Sequence, residues 1–172
     1  MNINNSQLID NERGVFNVLN LAKIQLFEGY QWQSEDINER TAVGSIFHAY
    51  ENPPTQSVAS LTIVDVTNDD SEPDISKIQQ TDVEEIDCRL RSAVASQFNL
   101  TRWMASKLNQ SESLKGLVTP YIVKVADIEW QYIALRFSTK ERKMVVIGMF
   151  DVSKSGVLAS AIFEAIQNIS LS

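Results

Sequence analysis

The hydrophobic period of the chain changes twice between residues 81 and 169, and that change limits the fold more than any other feature. Val83, Ile86, Leu90, Val94, Gln97, Thr101, Met104 and Leu108 recur at three- and four-residue steps. This spacing predicts a helix that runs to about Leu108 or breaks near Phe98 and Asn99. Thr81 and Glu84 have the spacing of a capping box, and Asp82, Glu84 and Glu85 suit the positive end of a helix. From residue 121 the period shortens to two. Residues 121–126, 130–137 and 143–150 read as strands, and the polar segments between them are short enough for hairpins. A second helix closes the chain, with Leu158, Ala161, Ile162, Ala165, Ile166 and Ile169 on one face and Ser153 or Ser155 as its cap.

Upstream, residues 14–28 read as strand from Val15, Phe16 and Val18 and from the alternation of Ala22, Ile24 and Leu26. Residues 28–30 read as a turn, followed by a polar connection to Glu39. Residues 41–50 and 57–67 are rich in β-branched and aromatic side chains, and Asn52, Pro53 and Pro54 separate them, which predicts an antiparallel pair. Residues 68–74, with Pro73, end the second strand. The fold class is therefore α+β: a central antiparallel β-sheet flanked by a long middle helix and a C-terminal helix. A single domain is expected over 1–172, with 1–13 a loosely ordered N-terminal segment. A chain of 172 residues can bury a core without metals or disulfides, since about 70% of its unfolded surface is removed from water at this size.

Charge narrows the partners. The net charge is −7, and the nine acids from Asp65 to Asp87, against the single base Lys77, carry −8 of it. The rest of the chain is close to neutral. Such a balance argues against a nucleic-acid partner and favours a basic protein, whose encounter an acidic patch would steer. Cys88 is the one cysteine, so no intrachain disulfide forms, as suits a reducing compartment. No apolar run approaches the roughly 18 residues of a membrane span, and residues 1–8 lack the basic and apolar stretches of a secretion signal. The expected location is cytoplasmic, or periplasmic where a signal segment has been removed.

The chemistry-bearing residues are few. His48 is the sole histidine and stands beside Phe47 in a strand, the setting of a partly buried strand histidine rather than a general base. One histidine and one cysteine exclude a zinc site of nitrogen and sulfur ligands. Asn68, Asp70, Glu72 and Asp74 alternate as oxygen donors, but the turn glycine and closing glutamate of a calcium loop are missing and Pro73 interrupts. No metal and no cofactor are expected, and the glycine-rich phosphate loops and the G-x-S-x-G elbow are absent. The chain reads as a non-enzyme. Trp130 alternates with Tyr132 as core, whereas Trp103, off the apolar stripe and beside Arg102 and Lys107, is expected at the surface. The candidate partner-binding residues are Asp69, Asp70, Glu72, Asp74, Arg102 and Trp103.

The element order resembles the Mog1/PsbP-like fold. The residues that carry the likeness are the hairpin 130–137 and 144–150, the junction Gly148, Met149, Phe150 and Asp151, and the helix end at 162–170. The resemblance implies a protein that holds partners; bacterial members and neighbours include small envelope proteins and adaptors of type VI secretion effectors. The expected function is a non-catalytic protein-binding module, either a bacterial immunity protein or an adaptor for a secreted effector or toxin. An adaptor should present an apolar groove, an immunity protein a polar plug. Two alternatives stand beside it. One is a phage or plasmid inhibitor that mimics nucleic-acid charge. The other is a small hydrolase without a visible motif, which requires a cleft that brings His48 to a carboxylate and a hydroxyl.

Overall fold

The computed structural model describes residues 8–10, 15–18, 22–26, 28–51, 56–110, 115–154, 156–167 and 170–171. Two antiparallel sheets account for most of them. The small one joins β1 (Leu8–Asp10), β2 (Val15–Val18), β3 (Ala22–Gln25) and β12 (Ser170–Leu171) in the order β1-β2-β3-β12. The large one joins β4 (Gln31–Asn38), β5 (Val43–Tyr50), β6 (Ala59–Asp65), β7 (Leu100–Trp103), β8 (Lys107–Gln110), β9 (Lys115–Val125), β10 (Ile128–Ser138) and β11 (Lys143–Asp151). Its order is β4-β5-β6-β11-β10-β9-β7, and β8 pairs with the other half of β9. Two helices complete the chain, α1 (Val83–Gln97) and α2 (Gly156–Gln167). The fold is α+β.

Ladder register decides which side chains share a face, because partners across an antiparallel pair point the same way. Met144, Val146 and Gly148 of β11 stand opposite Phe137, Leu135 and Ile133 of β10. On the other side, Val146, Gly148 and Phe150 stand opposite Ile63, Leu61 and Ala59 of β6. These residues form the main core with Phe47 and Ala49 of β5 and with Leu158, Ile162, Ala165 and Ile166 of α2. Gly148 lets the helix approach. A methyl group there would lie 2.4 Å from Cγ2 of Ile162 and 2.8 Å from Cδ1 of Ile166, so α2 rests directly on the β11 backbone.

The opposite face is covered differently. Val83 and Ile86 of α1 are buried, with Leu90 half-buried, against Ile75, Ile78 and Leu117. Val94 reaches a second cluster around Tyr121, Val123 and Trp130. The other eleven residues of α1 expose most of their surface or, like Asp87, stand half-buried.

Several expectations change. The expected polar connection after residue 30 is the edge strand β4: its Trp32 is buried, Ile37 packs against the Val64 and Val145 cluster, and its other residues are polar, as befits an edge. The middle helix stops at Gln97. Phe98 takes an extended conformation (φ −131, ψ 158) and its N–H closes on the Val94 carbonyl. Met104 and Leu108 therefore do not belong to the helix, and residues 100–110 supply β7 and β8 instead. The capping box sits on Gln79 and Asp82, not Thr81 and Glu84, because a 3-10 turn (Gln80–Asp82) precedes α1. Ser153 does not cap α2; its N–H and hydroxyl both donate to Oδ1 of Asp151. β9 starts at Lys115, earlier than residue 121. Residues 14–28, read as strand, hold two strands, β2 and β3, and Gly29 turns the chain after them with φ +94. Of the segment 1–13, residues 8–10 form β1 and the others lie outside the described residues, as do the loop at Asn52, Pro53 and Pro54, the cap candidate Ser155, and Ile169.

Gly148→Ala should cost about 1–3 kcal/mol, the usual penalty for overpacking a filled core. Urea unfolding of the two proteins measures it, and an unchanged midpoint would show that α2 does not sit against β11.

Candidate binding face

The row of residues that crosses the sheet on the α1 side passes from a covered half to an open one. Tyr132 of β10 lies opposite Tyr121 of β9, and Tyr121 opposite Trp103 of β7. The three rings stack, with centroids 5.1 Å apart for the tyrosines and 5.2 Å for Tyr121 and Trp103. In the other direction Tyr132 lies opposite Met149, Met149 opposite Ser60, Ser60 opposite His48 and His48 opposite Gln33. A neighbouring row holds Glu35, Ile46, Thr62 and Ile147. Among the described residues no helix lies over β5, β6 and β11 here, and Ile46, His48, Tyr50, Ile147, Met149 and Tyr132 are half-buried, with part of each side chain open. At the rim Phe98, 42% exposed, leans on Tyr132 at 6.3 Å. The result is a mixed surface on rigid strands, in which Ile46, Ile147, Met149 and Tyr132 stand among Gln33, Glu35, His48, Ser60 and Thr62, and the apolar members are suited to a partner.

Burial raises both tyrosine hydroxyls, that of Tyr121 to about 12. Both rings are therefore neutral throughout the physiological range. They offer stacking surface and no charge.

The histidine stands on this face beside an acid of the neighbouring edge strand. His48 Nε2 is 3.4 Å from Oε2 of Glu35, whose side chain is 72% exposed. Ser60, the hydroxyl beside it in register, is 2% exposed, and no hydrogen bond joins it to His48 among the described residues.

The nine acids of the segment from Asp65 to Asp87 mostly serve the fold. Asp65 accepts from Thr67 and from Arg142 at 2.9 Å. Glu72 and Arg136 form a half-buried pair at 2.9 Å. Lys143 donates to the carbonyls of Asp69 and Glu72 at 2.6 and 3.0 Å. Asp69 and Asp74 each hold a serine two residues on, Ser71 and Ser76, by its N–H and hydroxyl. Asp82 caps the N–H of Gln79. Asp87 receives Nε1 of Trp103 at 3.1 Å and the N–H and hydroxyl of Ser106 at 2.8 and 2.6 Å. Only Asp70, Glu84 and Glu85 make no such contact among the described residues.

The structure thus disperses the candidates read from the sequence. Asp69, Glu72 and Asp74 fasten one loop, and Asp70 points to water from it. Trp103 is half-buried between Tyr121 and Asp87 rather than exposed. Arg102, adjacent in sequence, faces solvent. None of them borders Ile46 or Ile147. The residues that sequence reading passed over are Ile46, Tyr50, Ile147, Met149 and Phe98. One signal could have found them: residues 144–150 carry no polar side chain on either face, so β11 needs cover on both sides. Among the described residues no group of His, Cys, Asp and Glu is arranged to hold a metal ion, and no helix there is long and apolar enough to cross a membrane.

No protein family matches the sequence, and neither does any curated protein. Solved structures do match. The fold is similar to the solution structure of the cyanobacterial PsbP protein CyanoP from Synechocystis sp. PCC 6803, with TM-score 0.62 and 12% identity over 95% of this chain and 89% of that one. It is also similar to LpqN of Mycobacterium tuberculosis, involved in cell envelope biogenesis, with TM-score 0.55 and 6% identity over 88% and 83% of the two chains. At these identities the likeness is one of fold. The chain has the PsbP-like fold to which its last hairpin and helix pointed.

The carboxylates make acid stability a test of the fastening. Burial works to raise Asp65, and hydrogen bonds from Thr67 and Arg142 overcome it, so its carboxyl lies below the ordinary value of 3.8. Hydrogen bonds from Ser71 and Ser76 lower Asp69 and Asp74 against a smaller opposing effect of burial. A carboxyl lowered on folding contributes stability above its unfolded value and loses it as the pH falls through its folded one. Stability should therefore decline below about pH 4, and Asp65→Asn should make that decline shallower. Urea midpoints measured from pH 6 to pH 2 would show it, and parallel profiles for the two proteins would remove Asp65 from the account.

Proposed function

We propose that this chain is a non-catalytic protein-binding module that receives its partner on the open half of the sheet. The observation that carries the reading is the set of Ile46, Ile147, Met149 and Tyr132 on two neighbouring rows of one sheet face, half-buried but partly open on strands that the rest of the fold holds rigid. Anchors of this kind dominate binding when a partner excludes water from them. An apolar face also favours an adaptor for a secreted effector over an immunity protein, which would offer a polar plug. The similarity to CyanoP and LpqN is compatible with a binding role and assigns neither partner nor compartment. A hydrolase is the weaker reading, since the serine hydroxyl in register with His48, that of Ser60, is buried.

The test introduces a charge into the face. A partner first identified by crosslinking to residue 147 would be purified and its affinity measured for the wild type, Ile46→Glu, Met149→Glu and Val157→Glu. Val157 is 75% exposed on α2 and serves as a control. The two face variants should bind at least about tenfold more weakly, the loss of one good anchor. Val157→Glu should bind like the wild type. Full affinity in both face variants would place the interface elsewhere, and a hydrolytic activity abolished by His48→Ala would replace the binding reading altogether.

For a basic partner the solvated acids supply steering. Neutralising Asp70, Glu84 and Glu85 together should lower the association rate and leave dissociation nearly unchanged, with a smaller effect at high salt. Stopped-flow mixing at two ionic strengths separates these rates. Identical association rates would mean that the segment serves the fold alone.

A further inference from the structure

A separate cleft of about 470 Å³ opens at the turn end of the large sheet, between the β4–β5 turn, the end of β6 and the β10–β11 turn. Its shape follows from the ladder. Asp65 ends β6 opposite Val43, the first residue of β5, and near Lys143, the first of β11, whose neighbour Met144 is its ladder partner. The hairpin turns on either side continue past that point. Each is closed by a backbone hydrogen bond, Glu39 N–H to Ala42 at 2.9 Å and Thr139 N–H to Arg142 at 2.8 Å. Because β6 lies between β5 and β11, the two walls stand roughly 9–10 Å apart at the level of the strands. The chain leaving β6 makes the floor.

The cleft carries an arginine on each wall, Arg40 and Arg142. Arg142 is fixed: its Nη1 lies 2.9 Å from Asp65, which is itself only 14% exposed, and Asp65 is held in turn by the N–H of Thr67. Arg142 stays 48% exposed, so the rest of its fork remains open to solvent. Arg40 makes no ion pair or hydrogen bond among the described residues. Thr41 adds a hydroxyl and Glu141 a carboxylate to the lining, whereas the hydroxyl of Thr67 is engaged, donating to Asp65 and accepting from the N–H of Lys143. The charges sum to zero, with Asp65 already spent on Arg142. What remains is one unspent guanidinium, the open edge of a second, and one carboxylate. A dense polyanion would meet Asp65 and Glu141 without net attraction. A ligand with one carboxylate and one ammonium would meet complementary groups at both ends.

We infer that this cleft binds the carboxylate of a short zwitterionic peptide between Arg40 and Arg142, with Glu141 on the side of its ammonium group. Guanidinium groups give a carboxylate directional, charge-assisted hydrogen bonds, the cleft is lined by two of them, and its volume lies in the range of small-ligand clefts. The site is independent of the open face, since its lining residues belong to turns or, like Val43 and Asp65, to strand ends in register with Met144 of the opposite face.

The experiment titrates trialanine into the isotopically labelled full chain and follows the backbone amides of Thr41, Thr67 and Asn68. Saturating shifts are expected for trialanine. Trialanine amide, which lacks the carboxylate, and N-acetyl-trialanine, which lacks the ammonium, should bind more weakly, the amide by about tenfold, the worth of a charge-assisted contact. Arg40→Ala should weaken trialanine by a similar factor while leaving the spectrum elsewhere unchanged, because Arg40 is exposed on a turn. Equal binding of trialanine and its amide, shifts that do not saturate, or unchanged affinity in Arg40→Ala would overturn the inference. Tighter binding of inorganic phosphate than of trialanine would overturn it as well, by making the site one for oxyanions.

Discussion

The large sheet is constrained by a strand that is apolar on both sides. β11 turns Met144, Val146 and Phe150 to one face and Val145, Ile147 and Met149 to the other, and both must leave water for the strand to be stable at the centre of a sheet. The first face is solved by α2, which comes down onto the backbone at Gly148. Among the described residues the second is covered by α1 and by the segment with Ile75 and Ile78, and that helix is too polar to cover it all, with just Val83 and Ile86 buried along it. It covers β9 and neighbouring β10. Val145 finds cover with Val64 and Val66, but Ile147 and Met149 stay half-exposed. The open face is thus the remainder left when one good amphipathic helix and one poor one cover a two-sided sheet.

How much of this was legible in the sequence depends on where the determining contact lies. The β10–β11 hairpin and α2 were legible because period and turn spacing are local, and Leu158, Ile162, Ala165 and Ile166 need only each other's register to define a face. β4 was not, since an edge strand with polar residues at most positions has the composition of a loop; Trp32 alone betrays it. The middle helix took the shorter of its two expected courses and broke at Phe98; the longer course, to Leu108, shows the reverse effect. Thr101, Met104 and Leu108 keep a helical spacing by coincidence, whereas Leu100 and Trp103 pack into the Tyr121 and Trp130 cluster from a strand. Tertiary pairing with β9 overrode the local pattern. The candidate face was less legible still, because His48, Ser60, Met149 and Tyr132 meet only through the registers of three separate ladders.

The acidic segment shows why composition misleads about purpose. A run of −8 reads as a solvated patch, yet the structure uses most of it as fastening. Glu72 reaches across to Arg136, and Lys143 gathers two carbonyls of the same loop. These contacts hold the loop after β6 against β10 and β11, which places Ile75 and Ile78 over Leu117. Asp87 then ties α1 to Trp103 and Ser106, and the hydroxyl of Ser106 meets that of Thr119 at 2.8 Å. Paired carboxylates in half-buried settings add less net stability than an apolar contact of the same size. Their worth here is directional: each fixes one loop or helix in one position on the sheet. The consequence reaches the open face. Because Trp103 is held by Asp87 and stacks on Tyr121, which stacks on Tyr132, the covered half of the aromatic row sets the angle at which its last ring meets Met149 and the solvent.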